Sequence, residues 1–539
     1  ISITYIQVLR VIMAYDNPQI GKDIIESLTL GMYEDCRFIY REYIQNAADQ
    51  VDKAIDSNLL RKGEEQIMVV IDPVKRKIII EDNATGIAKD NVVPILRNIA
   101  FSTKKRGIDK GFRGIGRLGG LGYCSTLKFE TSYCGENVKS TMVWDAELLK
   151  NIINDRDTRQ EAVEVLKEVT KTEFSKEKSD THYFRVVLEE VSDDDLLDIT
   201  SVRNYLSMVA PVEISSGFLY RTQINQFMKE NKLVNDVYNI YINQDQIFKP
   251  YTTSIYEDNH GGKKKVDDIF GIDFLIRKDS EGKIIYWGWY SLSGLRGQMK
   301  PKNLARGIRL RKENIQIGDE EICKKFFTKT EDQRFSFYFF GEIHAISQDL
   351  IPNSRRDYFG ESSMCKTFEK LIKEDFLSLR ELCYDASKYR NAQTTINKTE
   401  EIRQTIEKKN QEGFTSNKEK EDLHKKLEEQ QKKEFDAKKQ LERVQKKMEE
   451  SNSPLLSHLE NIIPQSEVQF NQKTERDQSQ DIISTQPKRI KFRTDSPKYS
   501  RFNKGEKKLI GRIYESIKSY LPDAMSEPLI TKIEDDLIK

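Results

Sequence analysis

The decapeptide REYIQNAADQ, residues 41–50, places a carboxylate and a carboxamide at a spacing that could do chemistry. Glu42 and Asn46 stand four residues apart, so on a helix they share one face, one turn apart. Asp49, three residues further on, falls close to the same face. Side chains stacked in this way could hold a metal ion and a water molecule side by side. Taken alone, the decapeptide is better explained as a helix with an ordinary polar face.

A second polar segment follows a predicted β-hairpin. Two β-branched runs, Ile67–Ile71 and Lys77–Glu81, flank the turn sequence DPVKR, which is typical of two paired strands. The second strand runs directly into Asp82-Asn83-Ala84-Thr85-Gly86. The pattern therefore predicts a carboxylate at a strand end, followed by a tight turn.

A third segment, residues 101–131, combines glycines with basic residues. Without a Cβ atom, glycines let backbone N–H groups approach a ligand, and a helix beginning near residues 119–123 would direct its positive end at a phosphate. A flexible surface loop would show similar glycines, but this segment lies between the strand-borne Asp82 and a predicted strand, KFETSY. The P-loop pattern GxxxxGK[ST] is missing, and no GxGxxG follows a first strand.

The order of these three segments resembles the GHKL ATPase superfamily: the ninety-kilodalton heat-shock chaperones, gyrase-type topoisomerases, MutL and MORC proteins, and histidine kinases. Its E-x-x-x-N motif matches Glu42 and Asn46, and its D-x-G-x-G motif matches Asp82 to Gly86, with Ala84 in place of the first glycine. Its glycine-rich lid leading into a helix matches GIGRLGGLGYCS. The resemblance implies an α+β chain: a GHKL (Bergerat) ATP-binding α/β sandwich over residues 1–210, a ribosomal-S5-like α/β transducer domain, and a helical and coiled-coil C-terminal region.

The resemblance also implies ATP and Mg²⁺ as ligands. Asp82 would accept a hydrogen bond from the adenine amino group, and Asn46 would offer its carbonyl oxygen to Mg²⁺. Glu42 would orient, or take a proton from, the water that attacks the γ-phosphate. The other expected ATP-site residues are Asp49, Thr85, Gly86, Ser102, Thr103, Lys104, Gly114, Gly116, Gly119, Gly120 and Gly122. For Asp49 a solvated position is the alternative, and the choice between Lys104 and its basic neighbours stays open.

Residues 211–360 predict a second α/β domain. Their strand candidates are DVYNIYIN, DFLIRKD, KIIYWGWYSL, ARGIRLRKENIQIG and RFSFYFFGEIHAI, whose alternation predicts a mainly antiparallel sheet with one covered face. Near its end, DLIPNSRRDYFG resembles the loop by which related second domains send a cation to the γ-phosphate. On that match Arg356 is the first candidate for an arginine finger and Arg355 the second. A surface pair of Arg356 with Asp357 is one alternative, and Lys300 or Lys302 could serve instead.

The sequence after residue 360 predicts four segments: a helical connector at 361–395, a coiled coil at 396–450, a flexible linker at 451–500 and a small helical segment at 501–539. A heptad seam indicates the coiled coil: Leu423, Leu427, Gln430, Glu434, Ala437, Leu441, Val444 and Met448. The end of the linker, around Lys488–Lys508, is basic with interleaved aromatic residues, a composition that could bind nucleic acid but is better explained as a solubilising tail.

Composition excludes several classes of protein. The charged fraction is 32% but the net charge is only +1, so no overall field favours nucleic acid. Six scattered cysteines argue against a zinc site or a disulfide scaffold and fit a cytoplasmic protein. No apolar run reaches the roughly 18 residues of a membrane span, and the opening ISITYIQVLR shows no secretory signal. The histidines are isolated, so no phosphoacceptor of a histidine kinase precedes the nucleotide segment.

The resemblance to the GHKL superfamily, and to its heat-shock-90 branch in particular, implies a slow ATPase, ATP plus water to ADP plus phosphate, that works as an ATP-gated dimeric clamp. The heptad seam would join two chains and raise the effective concentration of their nucleotide domains. The sequence leaves the client open between a protein and a nucleic acid. The alternative is a nucleic-acid clamp of the MORC or MutL kind, including one in bacterial or mobile-element defence. A second alternative is a nucleotide switch that does not hydrolyse ATP.

Overall fold

The computed structural model describes residues 20–29, 35–99, 116–234, 236–259 and 262–450, with separate residues between 499 and 534. The chain divides into two compact units, residues 1–463 and 464–539. In the second unit, Tyr499, Ile510, Tyr514 and Ile530 form a small buried cluster, and the described residues within 506–517 and at 530–534 are helical. No helix among the described residues is both long enough and apolar enough to cross a bilayer.

The first domain is built on an eight-stranded sheet whose order is β5-β4-β3-β6-β2-β1-β7-β8. Neighbouring strands are antiparallel, except that β1 and β7 are parallel. The hairpin predicted from Ile67–Ile71 and Lys77–Glu81 is confirmed as β1–β2. The sequence LKFETSYCGENVKSTMVWDAE predicts a second hairpin around Cys134-Gly135-Glu136-Asn137, which is confirmed as β3–β4. The strands are β1 Ile67–Asp72, β2 Lys77–Asp82, β3 Thr126–Ser132, β4 Val138–Asp145, β5 Thr170–Lys176, β6 Tyr183–Glu189, β7 Ile240–Ile242 and β8 Asp245–Gln246.

The helices of this domain pack their apolar residues against the sheet in one core cluster. They are α1 Asp23–Thr29, α2 Phe38–Asp56, α3 Val92–Leu96, α4 Ala146–Asn154, α5 Ala162–Glu168 and α6 Ile199–Val209. The next helix, α7 Arg221–Glu230, buries Ile224 and Met228 in a separate core cluster. The charged sequence of Leu148–Thr170 predicts a helical insert, but the structure has the two separate helices α4 and α5 there, followed by strand β5. The break between α4 and α5 has a local cause. The Asp155 carboxylate accepts a hydrogen bond from the backbone N–H of Asp157 at 3.0 Å, and the turn that this bond forms competes with the helix.

The second domain contains a six-stranded sheet in the order β13-β12-β14-β11-β10-β9. Strands β12 and β14 are parallel and the other neighbours are antiparallel, as predicted for a mainly antiparallel sheet. The bounds are β9 Ser254–Asn259, β10 Gly262–Lys278, β11 Ile284–Ser293, β12 Gly307–Lys312, β13 Ile315–Ile317 and β14 Phe340–Ala345.

Three details of the predicted second sheet are wrong. The strand expected in DVYNIYIN is β7, which pairs with β1, so the first sheet extends beyond residue 210. The expectation of one covered face fails because β11 and β12 are buried on both faces. One face packs on a helix that begins at Ser363, and the other packs on Phe218 and α7. The first part of RFSFYFFGEIHAI lies in a 3₁₀ helix, Thr330–Phe337, rather than in a strand.

Two long helices, α8 Ser363–Glu412 and α9 Asn417–Glu450, follow the second sheet. The short turn between them makes the pair antiparallel, and the heptad seam of α9 faces α8 of the same chain. Glu434 lies 2.7 Å from Arg403, and Val444 joins the core that contains Leu382. Three of the predicted seam residues, Glu434, Ala437 and Val444, are buried, and α9 packs along α8 of the same chain. The contact of two chains through this seam stays a prediction.

Candidate nucleotide site

Helix α2 forms one wall of the candidate site, and its polar residues are unusually buried. Arg41, Glu42, Gln45 and Asp49 are all less than a tenth exposed, and Asn46 is half-buried. The burial of Asp49 excludes the solvated position that was its alternative. A buried polar helix face must be covered by groups that can bind it, and three segments of the chain cover this one.

The Glu42 carboxylate lies between two guanidinium groups. Its Oε1 atom is 3.4 Å from Nε of Arg356 and 3.5 Å from Nη2 of Arg41. Neither contact has hydrogen-bond geometry, and among the described residues Oε1 is buried without a hydrogen-bond donor. Oε2 faces Gly116, where an added Cβ atom would lie only 2.3 Å away. The charge of Glu42 is therefore offset, while Oε1 keeps the capacity to accept a hydrogen bond from water.

Arg356 is delivered by a tight loop of the second domain. An isolated bridge between Pro352 and Phe359 closes this loop, and the backbone N–H of Gly318 donates to the carbonyl of Arg356 at 2.8 Å. Arg356 has φ = 56°, a left-handed conformation that is uncommon for a side chain of this size. It is 8% exposed and faces Glu42, so the alternative of a surface pair with Asp357 is wrong.

The other candidate cations lie elsewhere. Arg355 is exposed, and only its carbonyl takes part, accepting a hydrogen bond from Arg41 at 3.3 Å. Lys300 is mostly exposed and pairs with Glu257 at 2.8 Å. The geometry thus selects Arg356 over Arg355 as the guanidinium that meets the α2 wall. Arg41, which sequence reasoning missed, lies directly before Glu42, and an arginine inside an otherwise apolar stretch was the available signal.

Asp82 ends strand β2 and is 2% exposed. Its carboxylate accepts a hydrogen bond from the backbone N–H of Ala84 at 3.0 Å. Burial raises the pKa of Asp82 from 3.8 to about 7, against the opposing effect of that hydrogen bond. A buried carboxylate in this condition gains from a further N–H donor, which an adenine amino group would supply.

The turn after Asp82 accommodates its departure from the D-x-G-x-G motif. Ala84 is fully buried and is not among the residues with positive φ, so an alanine fits there. Its carbonyl lies 2.8 Å from Nδ1 of His182. Gly86, in contrast, has φ = +67°, and a Cβ atom on it would come within 1.9 Å of the Ser132 carbonyl oxygen. The second glycine of the motif is therefore required by space as well as by backbone conformation.

A side-chain contact ties this turn to helix α2. The Thr85 hydroxyl lies 3.2 Å from Oε1 of Gln50, a residue that sequence reasoning did not select. Gln50 is eight residues beyond Glu42, which is about 12 Å along a helix axis. Asp82 and its turn thus meet one end of the α2 wall, and Arg356 meets the other. That separation suits an extended ligand with a base at one end and a phosphate at the other.

The glycine-rich segment differs from its prediction. Gly116–Gly122 forms a 3₁₀ helix that leads almost directly into β3, so the α-helix expected near residues 119–123 is absent. Tyr43 fastens this segment to α2: its hydroxyl donates to the Arg117 carbonyl at 3.0 Å and accepts from the Gly120 N–H at 3.1 Å. Gly119 and Gly122 lie in the same turn, while Ser102, Thr103, Lys104 and Gly114 lie outside the described residues.

The residues of the α2 wall fit Mg²⁺, an ion that needs few ligands from the protein. This ion binds through one or two protein oxygens together with phosphate oxygens and water, and Asn46 offers such an oxygen one turn from Glu42. The one group of three closely placed metal-binding side chains within the described ranges is Cys36, Asp193 and Asp195. Burial raises the pKa of the Cys36 thiol to about 12, which makes it a poor ligand for a hard ion.

Comparison with known proteins agrees with this geometry. Residues 41–181 match the family model described as histidine kinase-, DNA gyrase B-, and HSP90-like ATPase. The chaperone protein HtpG of Anaplasma marginale is 27% identical over 136 residues, which cover 23% of this chain and 21% of HtpG. HtpG of Shewanella baltica is 26% identical over 157 residues, 26% of this chain and 24% of that protein. The chain thus carries a GHKL domain, and it matches only about a quarter of the length of these relatives.

Replacing Asp82 with asparagine should stabilise the protein and abolish nucleotide binding. Because the folded pKa of about 7 is raised above 3.8, the ionised form is disfavoured in the fold, and stability falls as the pH rises between those values. Asp82→Asn should therefore raise the free energy of unfolding by about 1–3 kcal/mol at pH 8 and by almost nothing at pH 4.

Thermal unfolding at the two pH values and ATP-binding titrations check this expectation. Asp72→Asn, at the end of β1 next to the hairpin turn, is the control and should leave ATP affinity unchanged. Lost binding together with lost stability in Asp82→Asn would contradict the assignment, because misfolding alone would then explain it.

Gly86→Ala should be poorly tolerated, because the new Cβ atom meets the Ser132 carbonyl as well as an unfavourable φ. We expect a loss of about 2–4 kcal/mol, measured by chemical unfolding of the purified protein. Gly63 also has positive φ, at +100°, but nothing lies within 4 Å of an added Cβ there. Gly63→Ala should cost only about 1 kcal/mol, and equal losses for the two variants would disprove the steric argument.

Proposed function

We propose that this chain binds Mg²⁺-ATP and hydrolyses it slowly, and that hydrolysis requires the second domain to dock on the first. The observation that carries this proposal is the 3.4 Å contact between Arg356 of the second domain and Glu42 of helix α2. A carboxylate that can activate water and a guanidinium that can stabilise phosphoryl transfer meet at one point, and each comes from a different domain.

Each residue has a definite task in this proposal. Asp82 accepts a hydrogen bond from the adenine amino group. Asn46 contributes a ligand oxygen to Mg²⁺, which neutralises phosphate charge when bound. Glu42 orients the attacking water and takes its proton as the bond from oxygen to the γ-phosphorus forms. The bond from that phosphorus to the bridging oxygen breaks, and ADP leaves. The Arg356 guanidinium offsets the charge on the phosphoryl oxygens during transfer.

We further propose that the chain acts as an ATP-gated clamp, in line with its likeness to proteins named as HtpG chaperones. Because α8 covers the heptad seam of α9, the proposed dimer contact lies between nucleotide domains. A protein client fits this proposal better than nucleic acid, since the Lys300 loop is partly neutralised by Glu257. The basic segment Lys488–Lys508 falls almost entirely outside the described residues.

Two substitutions test the catalytic assignment. Glu42→Gln keeps the size of the side chain but removes the base, so ATP turnover should fall about 100-fold or more while ATP still binds. Arg356→Ala should lower turnover to a similar degree. Steady-state phosphate release and ATP titrations measure the two effects separately.

Arg355→Ala is the matched control, because its exposed side chain leaves the carbonyl that Arg41 uses in place. It should hydrolyse ATP at nearly the wild-type rate. Unchanged turnover in Glu42→Gln would remove Glu42 from its role. Turnover absent from the wild type, with intact binding, would favour the nucleotide switch.

The clamp makes a separate prediction about association. Glu42→Gln with ATP should sediment as a dimer and without ATP as a monomer, because the slowed enzyme accumulates its ATP-bound form. Asp82→Asn should stay monomeric in both conditions. Analytical ultracentrifugation checks both, and a dimer that persists in every sample would contradict gating by ATP.

A further inference from the structure

A buried charge cluster lies where the two domains meet, away from the nucleotide site. Glu342, in the middle of β14, is 1% exposed. Its two carboxylate oxygens are contacted by four side chains: Tyr251 at 2.9 Å, Lys249 at 3.0 Å, Arg311 at 2.7 Å and His344 at 3.0 Å. Lys249 and Arg311 are buried as completely as Glu342, so the cluster holds two cations around one carboxylate.

Two side chains of this cluster reach the first domain. Arg311 donates through Nη2 to the Met208 carbonyl at 2.6 Å, in the last turn of α6, where carbonyls lack helical partners and a cation is favoured. Asn314, in the turn between β12 and β13, donates through Nδ2 to the Asp236 carbonyl at 2.8 Å. Its Oδ1 atom accepts from Lys249 at 2.6 Å. Asn314 therefore joins the cluster to the other domain.

The segment that Asn314 contacts is fixed to the nucleotide-binding part of the first domain. Two residues after Asp236, the Tyr238 hydroxyl donates to the Asp52 carboxylate of α2 at 2.7 Å. Ile240 then pairs with Ile67 of β1. The segment that contains Asp236 is therefore bonded to the same helix that carries Glu42.

Toward the C-terminus, Asn314 is connected to Arg356 through strand β13 and Gly318. Strand β13 begins at the next residue, and Gly318, immediately after it, donates its N–H to the Arg356 carbonyl at 2.8 Å. Gly318 has φ = +67°, and a Cβ atom there would lie 2.8 Å from the Asp357 carbonyl oxygen. The close approach of β13 to the arginine loop therefore depends on this glycine.

We propose that Asn314, held by the Glu342 cluster, is a positioning residue that sets the distance between Arg356 and Glu42. The proposal rests on the proposed ATPase function, since it assigns regulation of that same site. Burying three charges is a weak way to gain stability compared with apolar packing, but such a cluster can specify one orientation of two surfaces. Here the orientation it specifies is the one that brings Arg356 to the α2 wall.

Asn314→Gly tests the proposal: it removes the acceptor of one Lys249 hydrogen bond but leaves Glu342, Arg311 and the contact between them in place. Asn314 has φ = 59°, so glycine fits the backbone. We expect kcat to fall about tenfold, as a small misplacement of a catalytic group does, while the dissociation constant for ATP changes less than about twofold. The fall should disappear in an Arg356→Ala background, because Asn314 acts through Arg356.

Asn243→Gly is the matched control. Asn243 also has positive φ, at 47°, and its amide also makes two bonds, to the N–H and carbonyl of Ile71 at 2.8 and 3.0 Å. These bonds lie within the first sheet and cross no domain boundary. Asn243→Gly should keep the wild-type kcat. Equal losses in the two glycine variants, or a full tenfold loss for Asn314→Gly on top of Arg356→Ala, would overturn the proposal.

Hydrogen exchange gives a readout that does not depend on hydrolysis. Peptides containing Gly318 should exchange faster in Asn314→Gly than in Asn243→Gly or the wild type, since the Gly318 N–H bonds the arginine loop. If the wild type showed no turnover but exchange rose as expected, the proposed function would fail and the positioning role would stand. Unchanged exchange at Gly318 would refute the positioning role whatever the turnover.

Discussion

The contact between Glu42 and Arg356 is the constraint on which the rest of the structure depends. Both residues are less than a tenth exposed, and a buried charge is strongly disfavoured without a partner. Glu42 belongs to the first domain, where Arg41 lies 3.5 Å from it, and Arg356 belongs to the second domain, so docking adds the second guanidinium to this carboxylate. The contact between Glu42 and Arg356 therefore requires the two domains to be docked, and docking covers the end of the polar face of α2 that carries Glu42.

The same constraint explains why the arginine loop has a strained backbone. Arg356 keeps φ = 56° because bonds at both ends of the loop hold it, one from Gly318 and one between Asn353 and Tyr358 at 2.9 Å. Strain of this kind persists where the surrounding structure over-determines a residue, and it is often found at functional sites. A relaxed loop would let the guanidinium reach the solvent, where it would be better hydrated but unable to meet Glu42.

The sequence predicted those parts of the site that depend only on residues close together in the chain. The four-residue spacing of Glu42 and Asn46, the hairpin that ends in Asp82 and the turn at Gly86 all follow from local periodicity and turn chemistry. The partner of Arg356 could not be predicted from local sequence, because Asp357 and Glu42 both carry a carboxylate. Which of them Arg356 meets depends on how the two domains dock. The parallel pairing of β7 with β1 is likewise a long-range choice that the local sequence does not encode.

The heptad seam shows most clearly where sequence patterns stop being informative. Leu423, Leu427 and Ala437 predicted the less exposed stripe of α9 correctly, because a period of 3.5 residues follows from helix geometry alone. The heptad pattern does not indicate which helix packs against this stripe. The turn at Gly413 brings α8 back alongside α9 with a short connection, so the intramolecular partner is present at a far higher effective concentration than another chain. With α8 alongside the seam, the nucleotide domain is the surface on which the proposed ATP-controlled association of two chains depends.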